Sequence, residues 1–115
     1  MTAQQQEPLA DQPACVWVHA DDAPARAYGE GITIRPLWRQ ESGRSAQVVD
    51  IAPGAVWPGL DVHEPGPEEV FVVEGVFNDG VRDYPAGTFL HCPAGSSHVP
   101  QSTTGCRLFV FYPEG

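Results

Sequence analysis

Two imidazoles and two carboxylates in the middle of the chain, Asp61, His63, Glu68 and His98, are the side chains best suited to hold a cation. Asp61 and His63 are two positions apart, so on an extended backbone they project from the same face. Glu68 follows the turn-forming run Glu64-Pro65-Gly66-Pro67, which returns the chain on a neighbouring strand and brings a third donor alongside. Glu69 is the substitute if that turn shifts the register by one residue. His98 is reached through Gly87-Thr-Phe-Leu-His-Cys-Pro93-Ala-Gly95-Ser-Ser-His98, where Gly95 permits a tight turn that presents the imidazole from another strand. Two neutral imidazoles and two carboxylates would balance the charge of one divalent ion. His91, on the strand leading to Pro93, is the candidate catalytic acid–base group of such a cavity.

The elements that would position these residues are strands. The chain has 115 residues, enough for one domain, and its 12 Gly and 12 Pro exclude long helices after Pro36. Between these breakers lie short runs rich in β-branched and aromatic residues: 15–19, 31–38, 46–51, 70–73, 88–91 and 107–112. Many short strands at close spacing predict an all-β sandwich or barrel. Residues 21–29 predict a loop or a single helical turn. The Gln-rich segment 1–14, with Pro8 and Pro13, reads as a disordered tail or a strap onto a partner subunit, leaving 15–115 as the folded domain.

Six Lys and Arg against 15 Asp and Glu give a net charge of −9. That balance argues against nucleic-acid and anionic-membrane partners, which call for a positive face. No apolar run is long enough to span a bilayer and no secretory leader is evident, so a cytoplasmic location is expected. Cys15, Cys92 and Cys106 have neither disulfide-framework nor thiolate-knuckle spacing and read as small buried hydrophobes. No nucleophile elbow, phosphate loop or dinucleotide fingerprint is present.

The two stretches around the donors resemble the paired motifs of the cupin superfamily. Gly87, Pro93, Gly95 and His98 reproduce the second motif, and His63, Glu68 and Gly75 fit the spacing of the first. Residues 68–79, 83–87 and 105–110 extend the resemblance to the ChrR-type branch, over about 31–112. The resemblance implies a jelly-roll-like barrel of about eight to ten strands holding one divalent metal ion inside. Asp61 stands where the family has the first of two histidines; a register without the intervening gap would instead put Val62 and Glu64 at those two positions. Exchanging an imidazole for a carboxylate makes the set harder, tilting it toward iron, manganese or nickel without excluding zinc.

That branch includes dioxygenases that cleave acetylacetone and dihydroxyacetophenone, and the zinc-binding domain of anti-sigma factors. The expected function is therefore a metal-dependent dioxygenase or oxidoreductase acting on a small carbonyl or enol compound. The alternatives are a non-catalytic zinc sensor or small-ligand module, and a barrel that has lost its metal. The resemblance also implies a homodimer, because small cupins have sheet edges that need covering.

Overall fold

Alternation of apolar and polar residues turns one side of each strand toward a common interior and the other toward solvent. The computed structural model describes residues 12–115. Its strands are β1 (Arg26–Ala27), β2 (Ile32–Arg39), β3 (Ser45–Ile51), β4 (Asp61–Val62), β5 (Glu68–Asn78), β6 (Asp83–Pro85), β7 (Phe89–Cys92), β8 (Ser97–His98) and β9 (Cys106–Tyr112). Seven form one sheet in the order β1-β2-β3-β9-β5-β6, with β7 also pairing β5, while β4 and β8 form a separate two-stranded sheet. The fold is the expected all-β domain, with nine strands among the described residues. Among the described residues the helical content is a single 3-10 turn at Ala20–Asp22, within reach of the predicted loop.

The inner face is assembled from cross-strand rows. Ile34, Val49, Leu108 and Val72 pair in succession across β2, β3, β9 and β5. Beside them Ile32 pairs with Ile51 and Ile51 with Cys106. All seven of these residues are buried, with Ile32 at 1% and Val72 at 0% exposure. Toward the other end of the same face the rows become polar: Gln47 pairs with Val110, Ser45 with Tyr112, and Glu68 with Cys92.

A register shift between Val72 and Glu74 of β5 re-phases the strand. Glu68, Val70 and Val72 alternate inward before it, and Phe77 is fully buried after it. A bulge adds one residue to one strand and so reverses which parity faces in. Gly75 makes the irregularity possible: its φ is +77°, and a Cβ there would lie 2.8 Å from the Cys106 Cα and collide with the Gly105 carbonyl.

One expectation shifts. Residues 15–19, read as a strand, form none, and Val16 and Trp17 stand exposed. The outer edge of β2 is instead occupied by β1; alternation alone does not say whether a free edge exists for a strand to join. Most of the expected 1–14 tail, residues 1–11, lies outside the described residues. No helix among the described residues is long and apolar enough to cross a membrane.

On the outer face, Asp50 accepts from Arg35 Nε at 2.9 Å and from Arg107 Nε at 2.7 Å. Arg107 also reaches Asp21 at 2.9 Å. Burial alone would raise the Asp50 carboxyl, but the hydrogen bonds from Arg107 and Arg35 outweigh it and hold the group below its ordinary value.

Candidate metal centre

Two cross-strand pairs and one turn build the site. Asp61 lies opposite His98 in the β4–β8 ladder, and Glu68 lies opposite Cys92 in the β5–β7 ladder. Directly paired residues share a face, so each ladder aims two donors inward. His63 follows β4 and is held by the Pro93–Ser96 turn. Gly95 N–H donates to the His63 carbonyl at 2.7 Å, and His63 N–H donates to the Ser96 carbonyl at 2.9 Å. Gly95 has φ +86°, a conformation that side-chain-bearing residues rarely adopt. The glycine of the second stretch thus positions the histidine of the first.

The donor atoms converge. His63 Nε2 is 3.1 Å from His98 Nε2 and 3.3 Å from Glu68 Oε1. Asp61 Oδ2 is 3.0 Å from His98 Nε2 and 3.6 Å from His63 Nε2, and His98 Nε2 is 3.7 Å from Glu68 Oε1. Atoms bonded to one ion at about 2.1 Å lie roughly 3.0 Å apart at right angles and roughly 3.4 Å apart at tetrahedral angles. The observed separations fall around those values. His63, Glu68 and His98 are buried and Asp61 is partly buried.

The tautomer of His63 follows from its neighbours. Ser96 Oγ donates its one proton to the Pro93 carbonyl at 2.6 Å. Toward His63 Nδ1, 2.9 Å away, it therefore accepts, which leaves the proton of neutral His63 on Nδ1 and a bare lone pair on Nε2. A proton on His98 Nε2 has both that lone pair and Asp61 Oδ2 to serve. A cation among the same atoms satisfies all of them together, so the donor set fits a divalent ion. Burial pushes the Glu68 carboxyl up; the nearby Asp61 charge adds to this, while His63, Tyr112 and His98 oppose it. Burial and the Glu68 charge likewise raise the Tyr112 hydroxyl, which hydrogen-bonds Glu68 and stays protonated.

Glu69 and His91 point elsewhere. They pair across β5 and β7 on the opposite face, with His91 Nδ1 3.1 Å from Glu69 Oε2 and the His91 side chain half exposed. The structure therefore puts the predicted acid–base histidine outside the donor cluster. Strand parity is the reason: Cys92, one residue on, takes the inward position. Cys92, expected as a small buried hydrophobe, has its sulfur within 4.8 Å of the donor atoms of His63, Glu68 and His98. The usable signal was its place directly before Pro93 in the second motif. Val62 and Glu64 face out, so the register carrying Asp61 and His63 is the one adopted.

Inside the barrel, Trp57, Phe77, Pro100, Leu108 and Val110 close against the centre, leaving a cavity of about 20 Å³, room for about one water. Outside it, a groove of about 310 Å³ bordered by Val62, Glu64, Gly66 and Tyr112 reaches Asp61, His63 and Glu68. Phe77 packs edge-on against the His98 ring, with centroids 5.9 Å apart.

The ChrR Cupin-like domain model matches residues 13–114 of the chain. No functionally curated protein matches it in sequence. Among solved structures, the complex of Rhodobacter sphaeroides SigE with the anti-sigma ChrR matches at TM-score 0.70 and 22% identity over 82% of this chain. The chain spans 50% of the length of that matched chain. An RmlC-like cupin from Shewanella frigidimarina matches at TM-score 0.75 and 21% identity, covering 89% of this chain and 93% of the other. An acetylacetone dioxygenase from Acinetobacter johnsonii matches at TM-score 0.75 and 16% identity, covering 95% of this chain and 80% of the other.

Proposed function

The chain belongs to the ChrR cupin-like domain family, and from that premise we propose that it is a single-metal cupin oxidoreductase acting on a small carbonyl or enol compound. The observation that carries this reading is the convergence of His63, Glu68, His98 and Asp61 donors within 3.0–3.7 Å beside an open groove. His63, His98, Glu68 and Asp61 would hold one divalent ion, iron, manganese, nickel or zinc. Such an ion supplies Lewis acidity and, when redox-active, an electron path.

The chain's own residues do the rest. Ser96 keeps the Nε2 lone pair of His63 aimed at the centre. Tyr112, which lines the groove and retains its proton, donates it to Glu68 and so orients that carboxylate beside the groove. The apolar wall of Trp57, Phe77 and Leu108 limits the inner side to about one water. The groove rather than the small interior cavity admits the substrate, because about 20 Å³ holds nothing larger than water.

Metal analysis of protein purified without chelator tests the reading. About one equivalent per chain is expected, lost in His63→Ala and His98→Ala, and iron-loaded protein should consume oxygen with 1,3-diketones or hydroxyacetophenones. Tightly held zinc with no oxygen uptake across that panel would favour the second reading, a sensor or small-ligand module. No metal after anaerobic reconstitution would overturn both.

We place the protein in the cytoplasm, consistent with its three free cysteines, and as a homodimer. On the outer face Phe109 pairs with Phe71 and Phe71 with Phe89, a cross-strand aromatic row in which Phe89 is 59% exposed. Contiguous apolar surface of this kind marks an interaction site. Phe89→Asp should convert the dimer to monomer in sedimentation velocity; an unchanged sedimentation coefficient would exclude this face as the interface.

A further inference from the structure

We propose that Cys92 is a metal ligand, so that the centre carries two interchangeable fourth donors, the Cys92 thiolate for a thiophilic ion and the Asp61 carboxylate for a hard one. This rests on the metal-centre reading above and deepens it. His63, Glu68 and His98 are common to both sets. The sulfur of Cys92 lies within 4.8 Å of the donor atoms of all three. Asp61 approaches from the other ladder, 3.0 Å from His98 Nε2.

The placement of Cys92 comes from the backbone. It is the last residue of β7 and the cross-strand partner of Glu68, so its Cβ shares the inward face with that carboxylate. Pro93 follows it and restricts its backbone to the extended region, fixing the direction of the Cβ. One side-chain torsion then sweeps the sulfur. Donors on a shared ion, with sulfur at about 2.3 Å and nitrogen at about 2.1 Å, lie roughly 3.6 Å apart at tetrahedral angles. From within 4.8 Å, ligation would call for an approach of about an ångström, and that one torsion is the freedom available for it. On ligation the S–H bond breaks, the sulfur keeps the electron pair for the metal, and the proton leaves to solvent through the recess that Cys92 shares with Ser96 and Ser97.

The choice of donor decides what the centre does. With Cys92 bound, the two imidazoles, one carboxylate and one thiolate close a four-coordinate site, as in structural zinc centres. With Asp61 bound instead, the oxygen-rich set suits metals that accept additional ligands from the groove. The same fold then serves as a closed sensor site or an open reactive one according to the ion it receives.

Cobalt(II) reports both the site and the sulfur. Loading metal-free protein should give visible d–d bands, which report binding, together with a thiolate-to-cobalt charge-transfer band in the near ultraviolet. Cys92→Ser should abolish the second band and keep the first, while the double variant Cys15→Ser/Cys106→Ser and Asp61→Asn retain both. Cys92→Ser should weaken zinc binding by about tenfold or more and manganese(II) binding by less than about threefold. Visible bands without charge transfer in the wild-type protein would overturn the role of Cys92 and leave the metal centre standing. No cobalt spectrum at all would overturn both.

Discussion

The two ends of the inner face answer to different physics. At the apolar end, Ile34, Val49, Leu108 and Val72 meet in one row, and any side chain of similar volume and shape would keep water out. At the polar end, Glu68, Cys92, His63, Asp61 and His98 meet within a few ångströms, and direction matters more than volume. A Cys92 pointing the other way would be as useless there as His91. The apolar end is knitted by long ladders of β2, β3, β9 and β5. The polar end rests on the start of the β5–β7 ladder, the two-residue strands β4 and β8, and a turn held to His63 by hydrogen bonds. The lesson is that the barrel's stability and its chemistry sit on the same strands but are held by separable interactions.

Phe77 straddles the two ends and is where they should fail to separate. It is fully buried and stacks near Tyr84 while packing edge-on against His98. Phe77→Ala should cost about 3–5 kcal/mol in chemical denaturation and also weaken metal binding. Unchanged metal affinity in this variant would show that the His98 ring is held by its ladder alone.

Ile32→Ala, at the apolar end, should cost about 3 kcal/mol, because Ile32 is almost wholly buried, while metal affinity stays within about twofold of wild type. Coupled loss of metal would break the comparison. Ser96→Ala is the converse case. It removes the acceptor that fixes the His63 tautomer, and should lower metal affinity by about 10–100-fold in competition titrations with a chromophoric chelator. Stability of the metal-free protein should change by about 1 kcal/mol at most.

The outer face supplies the smallest effect. Asp50→Asn should lower stability by about 1 kcal/mol at pH 7, since the pairs with Arg35 and Arg107 keep about a quarter of their side-chain surface in solvent and are partly screened. The folded protein holds the Asp50 carboxyl below its ordinary 3.8. Its contribution is therefore full above the unfolded value and disappears as pH falls through the lower folded one. Melting temperatures of the wild type and the variant should accordingly stay apart at pH 7, begin to converge as pH falls below 3.8, and meet once the lower folded value is passed. A gap that persisted in acid would assign the effect to packing.

The fold was legible because its signals are local. Alternation in 31–38, 46–51 and 107–112, bounded by glycines and prolines, specifies β2, β3 and β9 within one or two residues. The spacing of Gly87, Pro93, Gly95 and His98 likewise marks a turn whose geometry is fixed by its own residues. The misreadings share one cause. Residues 15–19 alternate as a strand should, but joining a sheet needs a free edge, and β1 holds that edge. His91 and Cys92 are adjacent, and composition favours the histidine as the chemical group. Which of them faces inward depends on the register of β7 against β5.

Hydrophobic alternation and turn chemistry act between near neighbours, so the chain alone specifies β2, β3, β5, β7 and β9 and the inventory of donors, but not the short strands β1, β4, β6 and β8. Only the tertiary structure decided which donors meet. The pairing of Asp61 with His98, of Glu68 with Cys92, and of His63 with the Ser96 turn spans 24 to 37 positions of chain. A one-residue slip in any of these ladders would turn its donors to the other face, so that selection belongs to register, which packing across the whole barrel sets.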